Sequence, residues 1–294
     1  MSIRSLMCLF GGETYELNAL DTAFHLTRTS GGRLQVVHVA SPPVLFEVLR
    51  AADSSSSGEG VTAVLETDAR HLADAALALV TKRSTTHAVP LVASHHPILP
   101  DQALVTFCPL MGPVARCLPD AGRCVDLIVI GQDGGRGGHT GAVLTALFHT
   151  GSPVLVVPSV SDAPLSSTGY ARNVAVAWDG SLTASRALRA ALPHLSRADS
   201  VHLVSVEGMG DPYDATGEAA VLAYLACHGI SADFIRAERV AHSIGHILLE
   251  KAGDLDADLL VAGAYGYGHM GELSLGSVSN HILKHAHLPL LLAH

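Results

Sequence analysis

The sequence predicts an α/β fold made of two tandem domains, each an open parallel sheet of five strands. Three observations carry this. Short, nearly continuous apolar runs alternate with stretches of helical periodicity, the pattern of strands buried on both faces. The series then restarts: VDLIVIG from Val125 returns as ADLLVAG from Ala257 at an offset of 132, and the closing runs led by Pro153 and Pro289 are offset by 136. Between the copies lies SVSDAPLSSTG, Ser159 to Gly169, whose serine and proline content marks a linker. The domains expected are residues 1–158 and 171–294, joined by 159–170.

Ile3 to Phe10 opens the first copy as a strand, closed by the turn Gly11-Gly12. Glu13 to Thr29 reads as a helix because Leu17, Leu20, Phe24 and Thr27 share one face. RLQVVHV, Arg33 to Val39, is the second strand, and Pro42-Pro43 with AADSSSSGEG argues for a surface loop after it. Val61 to Lys82 is helical, with Val64, Leu65, Leu72, Ala76, Leu79 and Val80 as its apolar side. Ala88 to Ser94 fits a third strand, while His95 to Asp120 is proline-rich, which keeps any helix there short. Val125 to Gly131 is strand four, Gly141 to His149 a helix and Pro153 to Val157 strand five.

The second copy repeats the order. Arg172 to Trp178 is a strand, and Leu182 to Leu195 a helix with Leu188, Leu192 and Leu195 inward. Ser200 to Val206 (strand), Tyr213 to His228 (helix), Ala232 to Glu238 (strand) and His242 to Gly253 (helix) follow. Leu259 to Ala262 is a strand ending on Gly263, then comes a helix with Val278, Ile282 and Ala286 at four-residue spacing, and Leu288 to Leu292 closes. VVHV from Val36 and LVSV from Leu203 are offset by 167, so the first copy carries an insertion of about 35 residues around 40–120.

Composition excludes several classes. The net charge of -9 is spread over both halves, so no basic face for nucleic acid is expected. Five cysteines without a C-x-x-C pair read as reduced thiols, with Cys8 on a strand and Cys227 on a helix. The apolar run before Gly11 is too short for a signal peptide and no run approaches a membrane span, so the expectation is a cytoplasmic protein. Among 18 histidines, His242/His246 and His281/His285 are i, i+4 pairs, a spacing able to bind metal. Neither contains the glutamate of H-E-x-x-H, and solvated helix faces are the favoured reading.

The most informative stretch follows Leu259. Gly263, Gly266, Gly276 and Ser277 give the spacing G-x2-G-x9-G-S between a strand and a helix. Glycines let the backbone approach a phosphate and aim N-H groups at it, and a helix N-terminus favours an anion. Gly266, Gly268 and Gly271 also spell G-x-G-x-x-G, but at the last strand-helix turn, with Leu291 where an acidic residue belongs. No P-loop occurs, since no glycine run ends in Lys-Ser or Lys-Thr.

The spacing resembles that of the nucleotide-binding universal stress proteins, in their tandem two-domain form. The resemblance implies Rossmann-like, adenine nucleotide alpha hydrolase-like sheets whose last strands meet across a pseudo-twofold axis, pairing the domains within the chain; a homodimer stays open. It implies ATP as ligand, with Mg2+ needed where members hydrolyse ATP slowly or phosphorylate themselves. By the family pattern, Asp179 would face the adenosine and Val206 would meet adenine, while Ala262 would lend a backbone contact. Gly263, Gly266, Gly276, Ser277 and Val278 would surround ribose and phosphates, and Ala177 stands where some relatives have proline. Taken alone, Asp179 and Ser181 also suit a helix cap.

The first copy departs from the pattern. Set against WDGS, LFGG puts Phe10 at the Asp179 position, and Thr140-Gly141 falls opposite Gly276-Ser277 with four residues lost. One nucleotide per chain, in the second domain, is expected. No G-x-S-x-G elbow or general base is evident, so no catalytic residue is assigned and action through occupancy is the leading expectation. The rivals are a nucleotide-free interaction module and an adenylyl-transferring enzyme on a related fold.

Overall fold

The computed structural model describes residues 3–40, 58–97, 99, 101–132, 138–159, 170–209, 217–239, 242–264 and 276–294. Its frame is one sheet. In chain order the strands are β1 (Ser5–Leu9), β2 (Arg33–Ala40), β3 (Leu91–Val92), β4 (Leu104–Met111), β5 (Leu127–Gly131) and β6 (Val154–Val157). The second half supplies β7 (Asn173–Ala177), β8 (Ser200–Val206), β9 (Asp233–Ala237), β10 (Leu259–Gly263) and β11 (Leu290–Ala293). They lie in the order β3-β4-β2-β1-β5-β6-β11-β10-β7-β8-β9. Every neighbouring pair is parallel except β6 and β11, which run antiparallel with Leu291 opposite Leu155.

The helices are α1 (Leu17–Ser30), α2 (Gly58–His87), α3 (Val114–Gly122) and α4 (Gly138–His149), then α5 (Leu182–Leu195), α6 (Gly217–Cys227), α7 (Ile244–Asp254) and α8 (Ser277–His285). A parallel neighbour can be reached only by crossing over a face, so helices cover the sheet on both sides. α1, α2, α5 and α6 bury Phe24, Val80, Leu188 and Leu225 against one face, where Cys8, Val129, Val176 and Val261 point. α3, α4, α7 and α8 bury Leu118, Leu147, Leu248 and Ile282 against the other, where Met7, Ile128, Ala175 and Leu260 point. Both faces being buried is why the strand sequences are apolar without alternation. Each of these two cores runs across the β6/β11 seam.

The first half differs from expectation in its inserted region. Within Ala88 to Ser94 only Leu91 and Val92 are strand, and the long neighbour of β2 is β4, paired from Arg33–Leu104 to Ala40–Met111. Pro109 hid it. Proline is tolerated there because β3 ends opposite Thr106, so no outer strand awaits an amide at Pro109. Among the described residues the first half therefore has six strands, the sixth being this two-residue edge. α2 is longer than expected, and Leu72, placed on its apolar side by periodicity, is 61% exposed while Ala76 and Val80 are buried. The side chains of Val64 and Leu65 lie outside the described residues. α2 is fastened to α1 by polar contacts as well: Asp21 accepts from His87 at 2.9 Å and pairs with Arg83 at 3.3 Å.

Among the described residues no helix is long and apolar enough to cross a membrane. All five cysteines are free thiols. Cys8 is fully buried, and burial followed by the charges of Glu16 and Asp21 pushes its thiol far above the usual range. That makes it inert as a nucleophile.

Candidate functional site

The strand order of the second half reverses at one point. From β7 the chain moves outward to β8 and β9, then returns to the other side of β7 for β10 and β11. Connections from β7 and β10 therefore leave in opposite directions and open a crevice at their carboxyl ends. Val261 lies opposite Val176, so Ala262 and Gly263 run out beside Ala177 and Trp178. Asp179 and the glycine stretch, 84 residues apart at Gly263, are thus brought to adjacent strand ends.

On the β7 side, Ala177 is buried and the Trp178 amide donates to the Val204 carbonyl at 2.9 Å, extending the ladder one step. Gly180 then turns the chain with φ +74°, a conformation that favours glycine. Asp179 Oδ1 accepts from the Ser181 amide at 2.9 Å. Ser181 is the N-cap of α5, its hydroxyl accepting from the Ala184 amide at 3.1 Å. Capping falls to Ser181 alone, and Asp179 keeps one carboxylate oxygen beyond that turn.

A groove of about 610 Å³ opens beyond β7, β8 and β9, lined by Trp178, Asp179, Val206, Met209, Phe234 and Arg236 among others. Val206 is buried as the last residue of β8, and its carbonyl accepts from the Met209 amide at 2.8 Å. Glu207, Glu218 and Glu238 also line the groove, and Glu218 pairs with Arg236. Its wall is therefore rich in carboxylates.

On the β10 side, Ala262 is buried and Gly263 carries a packing role that its motif position did not suggest. A Cβ there would stand 2.7 Å from both the Thr183 carbonyl carbon and the Ala184 amide nitrogen, so the first turn of α5 rests on the glycine itself. The Gly263 carbonyl accepts from the buried Ser279 hydroxyl at 3.4 Å, which ties the strand end to α8. Gly276 is the N-cap of α8, without a side-chain cap and without an acidic residue in the first turn. Ser277 is exposed and Val278 packs half-buried on the core. Lys284 and His285 stand in the last turn, so the helix dipole is balanced at its carboxyl end only. Gly266 and His269 lie outside the described residues.

The first half corrects one correspondence. The Phe10 amide donates to Val37 as that of Trp178 donates to Val204, both at 2.9 Å. Phe10 thus matches Trp178, and the position of Asp179 is taken by Gly11; the four-letter match LFGG to WDGS was one residue out of step. The carboxylate is missing either way. In its place Glu16, fully buried, reaches back so that Oε2 accepts from the Gly11 amide at 2.8 Å and the Glu13 amide at 3.0 Å. Gly131, which stands in VDLIVIG where Gly263 stands in ADLLVAG, is packed the same way, its Cβ position 3.1 Å from the Glu16 Cα. α4 begins at Gly138, so Thr140-Gly141 sit inside its first turn rather than at its start. Gly134 to Gly137 lie outside the described residues.

Periodicity had not singled out Trp178, Met209, Arg236 or Glu16. The first three sit on three separate segments and share no spacing, and Glu16 reads as an ordinary first-turn residue.

The model of the universal stress protein family matches residues 171–294. This half is a universal stress protein domain. The whole chain is similar in fold to a universal stress protein from Archaeoglobus fulgidus DSM 4304, at 15% identity, 98% coverage of this chain, 96% of that one and a TM-score of 0.70. It is similar also to a functionally unknown protein from Pseudomonas aeruginosa PAO1, at 14% identity, 99% and 92% coverage and a TM-score of 0.57. A universal stress protein from Archaeoglobus fulgidus in complex with dAMP matches 41% of this chain and 96% of its own, at 19% identity and a TM-score of 0.31. No curated protein matches the chain.

Proposed function

We propose that the universal stress protein domain binds one ATP per chain in the crevice between β7 and β10, and that the protein acts in the stress response through that occupancy. The observation carrying this reading is that Asp179 and Gly263, 84 residues apart in sequence, follow and end neighbouring strands. Electrostatics divides the ligand. The carboxylate-rich groove of Asp179, Glu207 and Glu238 suits the neutral adenosine, whose ribose hydroxyls donate to Asp179, with adenine against Val206. Phosphates belong at the N-terminus of α8, where Gly276 brings no side-chain cap and the first turn holds no acidic residue, leaving the Gly276, Ser277 and Val278 amides and the Ser277 hydroxyl to receive them. Ala177 and Ala262 supply the small strand ends between these regions, Gly263 supports the turn, and Gly266 belongs to the phosphate loop by its motif position.

In the first half the Glu16 carboxylate already takes the turn amides, which supports a single site, with residues 1–158 and 171–294 as two units of unequal function. Purified protein should release adenine nucleotide on denaturation, identified by chromatography, and calorimetry should give one ATP per chain. At a hundred times Kd, ATP should raise stability by about 2.7 kcal/mol. Two equal sites would refute the asymmetry. A melting temperature indifferent to ATP would favour the nucleotide-free interaction module, and pyrophosphate release with a co-substrate the adenylyl transferase.

A further inference from the structure

The two histidine pairs are one feature in space. Ring centres of His242 and His246 lie 4.6 Å apart, those of His246 and His281 6.2 Å, and those of His281 and His285 4.5 Å, a continuous row from the start of α7 across to α8. His242 precedes the Ser243 cap and so stands outside the helix, whereas His246, His281 and His285 are all helical. The row is seated by a backbone device: a Cβ on Gly245 would fall 2.8 Å from the His281 Cβ, so glycine lets this imidazole lie against α7 itself.

Two imidazoles sharing an ion through bonds of about 2.1 Å have ring centres roughly 4.5 to 6.5 Å apart, depending on the angle between them. Both spacings at His281 fall in that range. Among the described residues no three His, Cys, Asp or Glu side chains converge on a metal as they stand. His246 and His285 are exposed, however, so both rings have room to turn towards an ion held beside His281.

We propose that His246, His281 and His285 form a site for a divalent transition-metal ion of borderline softness, such as Zn2+, which clamps α7 to α8. The His281/His285 pair is the chelate and His246 the third donor, with water completing the shell. The test uses full-length, tag-free protein stripped of metal and nucleotide, titrated with Zn2+ alone by calorimetry and followed by thermal melting. One saturable Zn2+ per chain and a Zn2+-dependent rise in melting temperature are expected. His285→Ala, at an exposed position, should weaken binding roughly tenfold or more, as should His246→Ala; His228→Ala, in the turn after α6, should leave it unchanged. Absence of saturable binding, or a wild-type Kd in His285→Ala, would overturn the site. An unchanged Kd in His246→Ala would overturn the clamp.

Discussion

Gly263 and Thr183 touch where a side chain would have to be. The Cα of the strand-end glycine faces the peptide between Thr183 and Ala184, leaving 2.7 Å for any Cβ. The neighbour is backbone of a helix already capped by Ser181, so it cannot swing aside. Gly263→Ala should cost about 1–3 kcal/mol in urea or thermal unfolding, the range for overpacking. Gly131→Ala, facing the Glu16 Cα at 3.1 Å, should cost less. Wild-type stability in Gly263→Ala would show that the glycine is there for the ligand alone.

Asp179 and Ser181 divide two jobs at the same turn, and variants should separate them. Ser181→Ala removes the hydroxyl that accepts from Ala184 and should cost about 1 kcal/mol of stability, with little change in ATP affinity. Asp179→Ala removes one hydrogen bond to the Ser181 amide, leaves the cap and should change stability by less than about 1 kcal/mol. Its ATP affinity should fall roughly tenfold or more, the equivalent of losing about 1.4 kcal/mol. Equal effects of both substitutions on affinity would assign Asp179 to the turn.

The parallel core was legible because strands covered on both faces must be apolar throughout, which is why VDLIVIG and ADLLVAG announce β5 and β10. β4 was not, since Pro109 looks prohibitive until its neighbour is seen to stop at Thr106. Leu72 misled because periodicity over a 30-residue helix continues past the part that α1 and the sheet cover. At the crevice, spacing drew attention to Gly263, Gly276 and Ser277, but not to what each packs against. That Gly263 carries α5, and that Glu16 fills the matching turn of the first half, depend on distances between segments remote in sequence.

Trp178 offers a direct optical test. It is the only tryptophan in the chain, and it lines both the groove beside Asp179 and a second cavity of about 270 Å³ with Arg189 and Tyr224. ATP in the groove should change its emission, saturating at one nucleotide per chain, with the change shifted to higher concentration in Asp179→Ala. Calorimetric binding without any change in emission would place the adenosine elsewhere.

Acid should weaken the fold through His194. This side chain is buried at the end of α5, edge-on to Tyr170 with ring centres 5.3 Å apart. Burial, and next the charge of Arg197, push its imidazole down to about 4 from the ordinary 6.5. The unfolded chain therefore takes up a proton below pH 6.5 that the folded chain refuses until about pH 4. Stability contributed by neutral His194 is complete above pH 6.5, declines as pH falls through that window, and has no more to lose below it. The loss is on the order of 3 kcal/mol. His25 and His281 are displaced in the same direction and steepen the slope. Urea midpoints at pH 7.5 and 5 should fall less for His194→Leu than for the wild type, because leucine has no proton to refuse. Equal falls in both proteins would mean that His194 titrates freely in the fold.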